Sequence, residues 1–345
     1  MNFSYKKFRI KCNHPFGISR SSHDHYDIVY LYLENNGFVG RGEAAPSDRY
    51  NESTDLIIRI LENGISIPPN EIDDPIKFSN TISPQCKNIK ALEVAFSMAI
   101  LDLWCQQNHL PLYEYFNAKP TNAPKTSYTI SIGDMDLIGE KVAEGSPYSI
   151  LKVKLGMGIN KDKEIVKAIR SFTDKIIRVD ANEGWDLESG VEMCRWLEGQ
   201  GVEFVEQPFK STNLKDTAEL REKSPLPLIA DENSLSSSDI PKIDGVFDGI
   251  NIKLMKCGSL FEAMKMIKMA RERDMKIMLG CMIESSVGIT AAAHLSPLVD
   301  YADLDGNLLI SNDPYSGVTV DDGKLVLPQG DGLGISLNSI ENNLL

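Results

Sequence analysis

The chain has 345 residues, 42% of them hydrophobic and 25% charged, with a formal net charge of -13. That make-up belongs to a folded globular chain of one large or two ordinary domains, and its acidic balance argues against a nucleic-acid surface. No apolar run is long enough to cross a bilayer, and MNFSYKKFRIKCNHPFG lacks the apolar stretch of a secretory leader. Cys12, Cys86, Cys105, Cys194, Cys257 and Cys281 show no CxxC spacing, so free thiols in a reducing cytoplasm are expected rather than a disulfide or zinc framework.

In chain order, residues 3 to 11 and 27 to 34 (DIVYLYLE) read as strands, ENNG as a hairpin turn and FVGRGEAAP as the returning strand. STDLIIRILENG and KALEVAFSMAILDLWCQQNHLPLYEYF follow with apolar residues at helical spacing, the second ending near Asn108 ahead of Pro111. The texture then changes at about residue 125. SYTISIG, LKVKLG, IIRVDAN, FVEQP, PLIADE, GINIK, KIMLG and YADLD read as strands, separated by amphipathic segments such as KDKEIVKAIRSFT, ESGVEMCRWLEGQG and LFEAMKMIKMARERD. Eight such units in succession are the pattern of a closed parallel (β/α) barrel, with a shortened first connection. The tail after YADLD reads as loops and short strands that pack on the N-terminal unit. A doubly wound open sheet shares the alternation, but no GxGxxG follows a first strand.

LKVKLG raises a question, because Lys152 and Lys154 share one face of the strand while Leu151, Val153 and Leu155 share the other. An edge strand with one solvated face would explain it. The other strand ends weigh against that explanation. In a barrel, chemistry sits at the C-terminal ends of the strands, and here these carry Asp180 and Asn182, Glu206 and Gln207, Asp231 and Glu232, Lys253, then Glu284, then Asp303 and Asp305. Three carboxylates on adjacent strands, Asp180, Glu206 and Asp231, repel one another unless a cation lies among them. Oxygen donors without His or Cys point to Mg²⁺, three separate surface salt bridges being the competing explanation.

The second and sixth strands of eight lie opposite each other, so Lys154 and Lys253 would face a substrate from two sides. Burial beside like charge is expected to lower a lysine pKa and free an amine to act as a base. Lys152, deeper on the same face as Lys154, would supply that like charge or touch a metal-bound carboxylate. Two opposed bases and a divalent ion suit removal of a proton α to a carboxylate through a metal-stabilised enediolate, with inversion at one carbon.

GRGEAAP and KALEVAFSMAILDLWCQQNHLPLYEYF resemble the capping domain of the enolase superfamily, and KVKLG, RVDANEGW, VEQPF, IADEN, NIKLMKCGS and GCMIESSVGITAAAHL resemble its barrel motifs in order. The likeness is to the muconate-lactonising subgroup and covers nearly the whole chain. It implies a modified TIM-type (β/α)7β barrel over 125–310, with an α+β cap formed by 1–124 and by a tail, 311–345, that returns to it. It also implies one Mg²⁺ per subunit on Asp180, Glu206 and Asp231, and Lys154 and Lys253 as acid/base catalysts.

DLD at the eighth strand resembles the DxD motif of dipeptide epimerases, which implies that Asp303 and Asp305 hold a substrate ammonium; a capped strand end is the plainer alternative. Lys152 and Glu284 join them as expected substrate-binding residues. So does Arg20, in the loop CNHPFGISRSSHDHY, as a reader of an acidic side chain, which would favour L-Ala-D/L-Glu. His14, His23 and His25 in that loop read as surface residues, and His294 as a packed one.

IADEN, KCGS and DLDG depart from the commoner IADES, KxGG and DxD followed by proline, without touching a presumed ligand or base. The expected protein is a cytoplasmic, Mg²⁺-dependent dipeptide epimerase, a homo-oligomer that binds no nucleic acid or membrane. An o-succinylbenzoate synthase or cycloisomerase uses the same lysines and metal, and a non-catalytic small-molecule binder is the alternative of another class.

Overall fold

The structure, a computed structural model, describes residues 1–19, 21–68 and 71–338. Three antiparallel strands open the chain: β1 (Asn2–Ile18), β2 (Ser21–Asn35) and β3 (Phe38–Ala44). Asn36 and Gly37 join β2 to β3 with φ of 50° and 83°, which is the two-residue hairpin turn that ENNG encodes. The helix Lys90–Gln107 lies directly on β3. Its approach depends on Gly40 and Gly42, where an added Cβ would meet the Ala99 and Ala95 carbonyl oxygens at 2.0 and 1.9 Å. Any larger residue there would push the helix off the sheet.

The second body is an eight-stranded parallel sheet in sequence order. It consists of β4 (Tyr128–Ile130), β5 (Ile150–Lys154), β6 (Ile176–Asp180), β7 (Val202–Glu206), β8 (Leu228–Ala230), β9 (Gly249–Lys253), β10 (Lys276–Gly280) and β11 (Tyr301–Asp303). A parallel bridge from Thr126 to Ala302 joins the first strand to the last and closes the barrel. All eight sequence-expected strands are present, and the first barrel helix is short, Ile138–Glu144. Outward side chains such as Leu151, Val153, Ile177 and Val179 are fully buried under the helices, the continuous burial that a barrel strand demands.

The chain beyond β11 returns to the first sheet. Cys12 bridges Ile310, Tyr32 Oη lies 3.0 Å from Tyr315 Oη, and the buried Asp102 accepts from the Leu333 N–H at 2.7 Å and the Arg41 N–H at 2.8 Å. Among the described residues no helix is long and apolar enough to cross a membrane.

Candidate active site

Pleating makes alternate residues of each barrel strand point inward, so the C-terminal ends deliver side chains in pairs. Lys152 and Lys154 come from β5, Arg178 and Asp180 from β6, Phe204 and Glu206 from β7, Asn251 and Lys253 from β9, and all are buried. Register sets their height. Lys154 pairs with Asp180 and Asp180 with Glu206, while Lys253 and Asp303 both pair with Gly280 from the strands on either side of it. Beneath them Arg178 lies 5.3 and 4.9 Å from the Phe204 and Tyr301 rings and donates to Glu203 at 2.7 Å, filling the barrel under the site.

Asp180, Glu206 and Asp231 each bring one oxygen within 4.8 Å of the others. Their oxygens divide into two sets. Asp180 Oδ1 accepts from the Asn182 N–H at 2.9 Å, Glu206 Oε1 from Asn251 Nδ2 at 2.7 Å and Asp231 Oδ1 from Lys256 Nζ at 2.5 Å. The remaining oxygens face the lysines: Asp180 Oδ2 is 2.7 Å from Lys154 Nζ, Glu206 Oε2 is 2.6 Å from Lys152 Nζ and Asp231 Oδ2 is 2.9 Å from Lys253 Nζ. Glu206 Oε2 is buried with an ion pair but no aligned hydrogen-bond donor. A compact set of carboxylate oxygens, one of them lacking a donor, fits a small hard divalent cation such as Mg²⁺.

Burial opposes ionisation of all three acids. Beside Asp231, Lys253 and Lys256 overcome it and hold the carboxyl well below the usual range; Lys154 and Lys152 lower Asp180. At Glu206, burial and then the Asp180 charge prevail over Lys152, and its pKa rises. Burial also favours the neutral amine, yet at Lys152 the charges of Asp303, Glu206 and Asp180 win, and at Lys253 those of Asp231 and Glu206, so both amines are raised. The expected lowering of the lysine pKa is therefore reversed at Lys253. Asp231 lies 2.9 Å from Lys253, and its charge with that of Glu206 outweighs both burial and the Lys152 cation.

Above this layer a cavity of about 660 Å³ opens between barrel and cap. Lys154 and Lys253 line it from opposite walls, with Asp231, Asp303 and Asp305 around them and Ile18, Tyr26 and Tyr50 from the cap above. Asp303 accepts from Ser127 Oγ at 2.6 Å and pairs with Lys152 at 2.5 Å, whose charge, with that of Lys154, overcomes burial and lowers its carboxyl. Asp305 accepts from the Thr129 N–H at 2.6 Å, and burial together with the Asp303 charge pushes it up to about 7.

Two expected substrate contacts are corrected. Lys152 is fully buried below the cavity and joins Glu206 to Asp303, so it meets carboxylates of the site rather than a ligand. Glu284 turns back to accept from the Met282 N–H at 2.8 Å, beside the buried Glu43, because its side chain folds under the start of the next helix instead of into the cavity. Arg20 lies outside the described residues. His294 is the packed histidine its setting suggested, fully buried and stacked on Tyr113 with Nε2 3.1 Å from the Leu333 carbonyl. His14 pairs with Glu144 at 2.8 Å, whereas His23 and His25 line the cavity.

Two loops of the cap are hooked to the turn that follows Asp180. Ser19 Oγ donates to the Asn182 carbonyl at 3.2 Å, and Arg49 grips both oxygens of Glu183 at 2.9 and 2.8 Å. Asn182 and Glu183 are left-handed, with φ of 44° and 63°, which turns the chain sharply upward at that point.

Residues 135–341 match the family model described as Enolase C-terminal domain-like. The chain is 38% identical to an L-Ala-D/L-amino acid epimerase of Flavobacterium johnsoniae over 98% of its own length and 100% of the relative's. The chain belongs to the enolase superfamily. It is also 37% identical to an L-Ala-D/L-Glu epimerase of Bacteroides thetaiotaomicron, over 97% of this chain and 88% of that one. A dipeptide epimerase from Cytophaga hutchinsonii, solved with Mg and D-Ala-L-Val, superposes with a TM-score of 0.91 at 27% identity, covering 98% of this chain and 95% of that one. This superfamily member is accordingly an enzyme of the isomerase class, of the racemase and epimerase kind.

The sequence reading passed over Asn251 and Lys256. The first was within reach, since alternation puts Asn251 on the face of Lys253 just as it puts Lys152 on that of Lys154. Lys256 sits in the four-residue helix Leu254–Cys257, and only the fold of that turn aims its amine back at Asp231. Arg49 carried no motif at all; its partner Glu183 is supplied by a loop distant in sequence.

Proposed function

We propose that this chain is a Mg²⁺-dependent dipeptide epimerase that inverts the α-carbon of the C-terminal residue by two-base proton transfer, with L-Ala-D/L-Glu as substrate. The observation that carries the reading is the position of two amines, Lys154 and Lys253, on opposite walls of one cavity with three carboxylates between them. Asp180, Glu206 and Asp231 would hold the divalent ion, which when bound supplies positive charge to offset the negative charge that develops on the substrate carboxylate as its α-proton leaves. Lys154 and Lys253, which pair with Asp180 Oδ2 and Asp231 Oδ2, would face the two sides of the α-carbon. One amine takes the proton, the other delivers one to the opposite face, and the configuration inverts.

Asp303 and Asp305 line the same cavity and would meet the substrate's N-terminal ammonium, a charge that a dipeptide carries and a simple α-substituted acid does not. Lys152 stays with Glu206 and Asp303 and keeps those charges from repelling each other. The dipeptide names of the relatives in F. johnsoniae and B. thetaiotaomicron support the substrate class, and the second supports glutamate at the C-terminal position. We further propose that the barrel unit spans 125–310 and that 1–124 and 311–345 together form the cap. Incubation of L-Ala-L-Glu and a panel of L,L dipeptides with enzyme and Mg²⁺ in D₂O is expected to exchange the α-hydrogen of the C-terminal residue and generate its epimer. No exchange across the panel would refute the assignment, and exchange confined to peptides other than L-Ala-L-Glu would refute its substrate part.

A further inference from the structure

We propose that Asn251 and Lys256 are positioning residues that restrict Glu206 and Asp231 to one oxygen each toward a bound divalent ion, and thereby select Mg²⁺ over Ca²⁺. The inference rests on the reading of Asp180, Glu206 and Asp231 as the ion's ligands. In each of the three carboxylates one oxygen is held by a donor other than Lys152, Lys154 and Lys253, and each of those donors is fixed by its own surroundings. Asn251 is fully buried on β9, and its amide lies against Gly280, where an added Cβ would meet Oδ1 at 2.6 Å and Nδ2 at 2.7 Å. A glycine at that position is what lets the amide reach Glu206 Oε1.

Lys256 is 4% exposed and spends its three ammonium protons on Asp231 Oδ1 at 2.5 Å, the Asp231 carbonyl at 2.7 Å and the Asn251 carbonyl at 3.0 Å. It has nothing left to offer a substrate. Its third contact ties it to the strand that carries Asn251, so the two devices reinforce each other. Asp180 Oδ1 is held by the backbone N–H of Asn182, which no side-chain substitution removes.

The consequence for ion choice follows from size. Mg²⁺ takes six oxygens at about 2.0–2.1 Å and tolerates little distortion, while Ca²⁺ takes six to eight at about 2.3–2.6 Å and readily draws both oxygens of a carboxylate. Single-oxygen presentation suits the smaller ion and denies the larger one its extra donors. Changing residues that orient ligands typically alters metal affinity about 10–100-fold.

Calorimetric titration with MgCl₂ and with CaCl₂ would compare the wild-type protein with Asn251→Leu and Lys256→Met. Asn251→Leu frees Glu206 Oε1 without changing charge and is expected to move the Mg²⁺/Ca²⁺ affinity ratio about tenfold toward Ca²⁺. Lys256→Met removes a cation, so it is expected to tighten both ions while moving the ratio the same way. Wild-type ratios in whichever variant is folded, judged by circular dichroism, would overturn the inference. A crystal structure of the wild-type protein with Mg²⁺ decides the matter independently of variant folding: Glu206 Oε1 should remain on Asn251 and Asp231 Oδ1 on Lys256, and chelation through both oxygens of either acid would overturn it. If the wild-type protein takes up no Mg²⁺, the ligand reading itself falls, and the inference with it; binding with unaltered ratios sinks the inference alone.

Discussion

Replacing Lys152 by Met keeps most of the side-chain volume and deletes one buried charge. Around it Asp180, Glu206, Asp231 and Asp303 face Lys152, Lys154, Lys253 and Lys256. These eight groups balance in charge, and the substitution leaves the cluster one negative charge in excess. Lys152 Nζ lies 2.5 Å from Asp303, 2.6 Å from Glu206 and 3.7 Å from Asp180, so three buried acids lose a counter-ion together. Breaking a buried ion pair by removing one partner costs about 3–5 kcal/mol, a large share of a net stability of about 5–15 kcal/mol. With an unfolding entropy of about 2.1 cal/mol/K per residue, that corresponds to a midpoint lower by about 4–7 °C for a chain of 345 residues.

The excess negative charge should also tighten Mg²⁺, each tenfold gain in affinity adding about 1.4 kcal/mol of ligand-linked stability. Thermal and urea unfolding of both proteins, with and without Mg²⁺, is the assay. The variant should melt lower without the ion and recover more than the wild type when it is added. A variant within about 1 kcal/mol of wild type, too small for a broken buried pair, or one with the same Mg²⁺ increment, would refute the account of Lys152 as the neutralising bridge of the site.

If the two amines serve opposite faces, Lys154→Gln and Lys253→Gln should each lose net epimerisation while retaining α-hydrogen exchange with one epimer only, followed by NMR in D₂O; exchange of both epimers by either variant would contradict two-base chemistry. Asp305 titrates near 7, and its ionised form is the one that pairs with an ammonium, so KM should rise as pH falls below about 7 and this limb should vanish in Asp305→Asn. The sign for stability is opposite. A folded-state pKa raised from 3.8 to about 7 contributes stability present below about 4 and lost as pH rises through about 7, so Asp305→Asn should gain on the wild type across that interval in unfolding titrations. Arg49→Gln removes the paired bonds to Glu183 and should raise KM more than it lowers kcat, in steady-state assays; an unchanged KM would mean that the cap loop is held by other contacts.

The barrel was legible because each strand announces itself twice, by an apolar run and by the turn after it, and because charge recurs at the C-terminal end where outward burial stops. The same alternation that put Lys152 and Lys154 on one face correctly made them inward neighbours. It also puts Lys152 deeper than Lys154 and against a carboxylate, as the 2.6 Å contact with Glu206 shows; that Lys152 leaves the cavity lining altogether is revealed only by the packed barrel. Glu284 failed for another reason: it stands past the end of β10, where strand periodicity no longer dictates direction, and the turn carries it under the following helix. The direction of the Lys253 shift is not legible in the sequence, because amines can be counted along a chain whereas the distance from an amine to a carboxylate on another strand is fixed only by register. Asp303 and Asp305 stand in a three-residue motif, but the groups they accept from, Ser127 and Thr129, lie 176 positions earlier in the chain.

Ser19 and Arg49 fasten two separate stretches of the roof to consecutive residues of one tight turn, itself a continuation of the segment bearing Asp180. Whatever variation the roof accumulates to welcome different guests, those tethers keep its footing on the wall below. New preferences can then arise by exchanging residues between fixed anchor points, with the machinery underneath left undisturbed, and any graft of foreign roof segments onto this barrel should preserve positions 19 and 49 first.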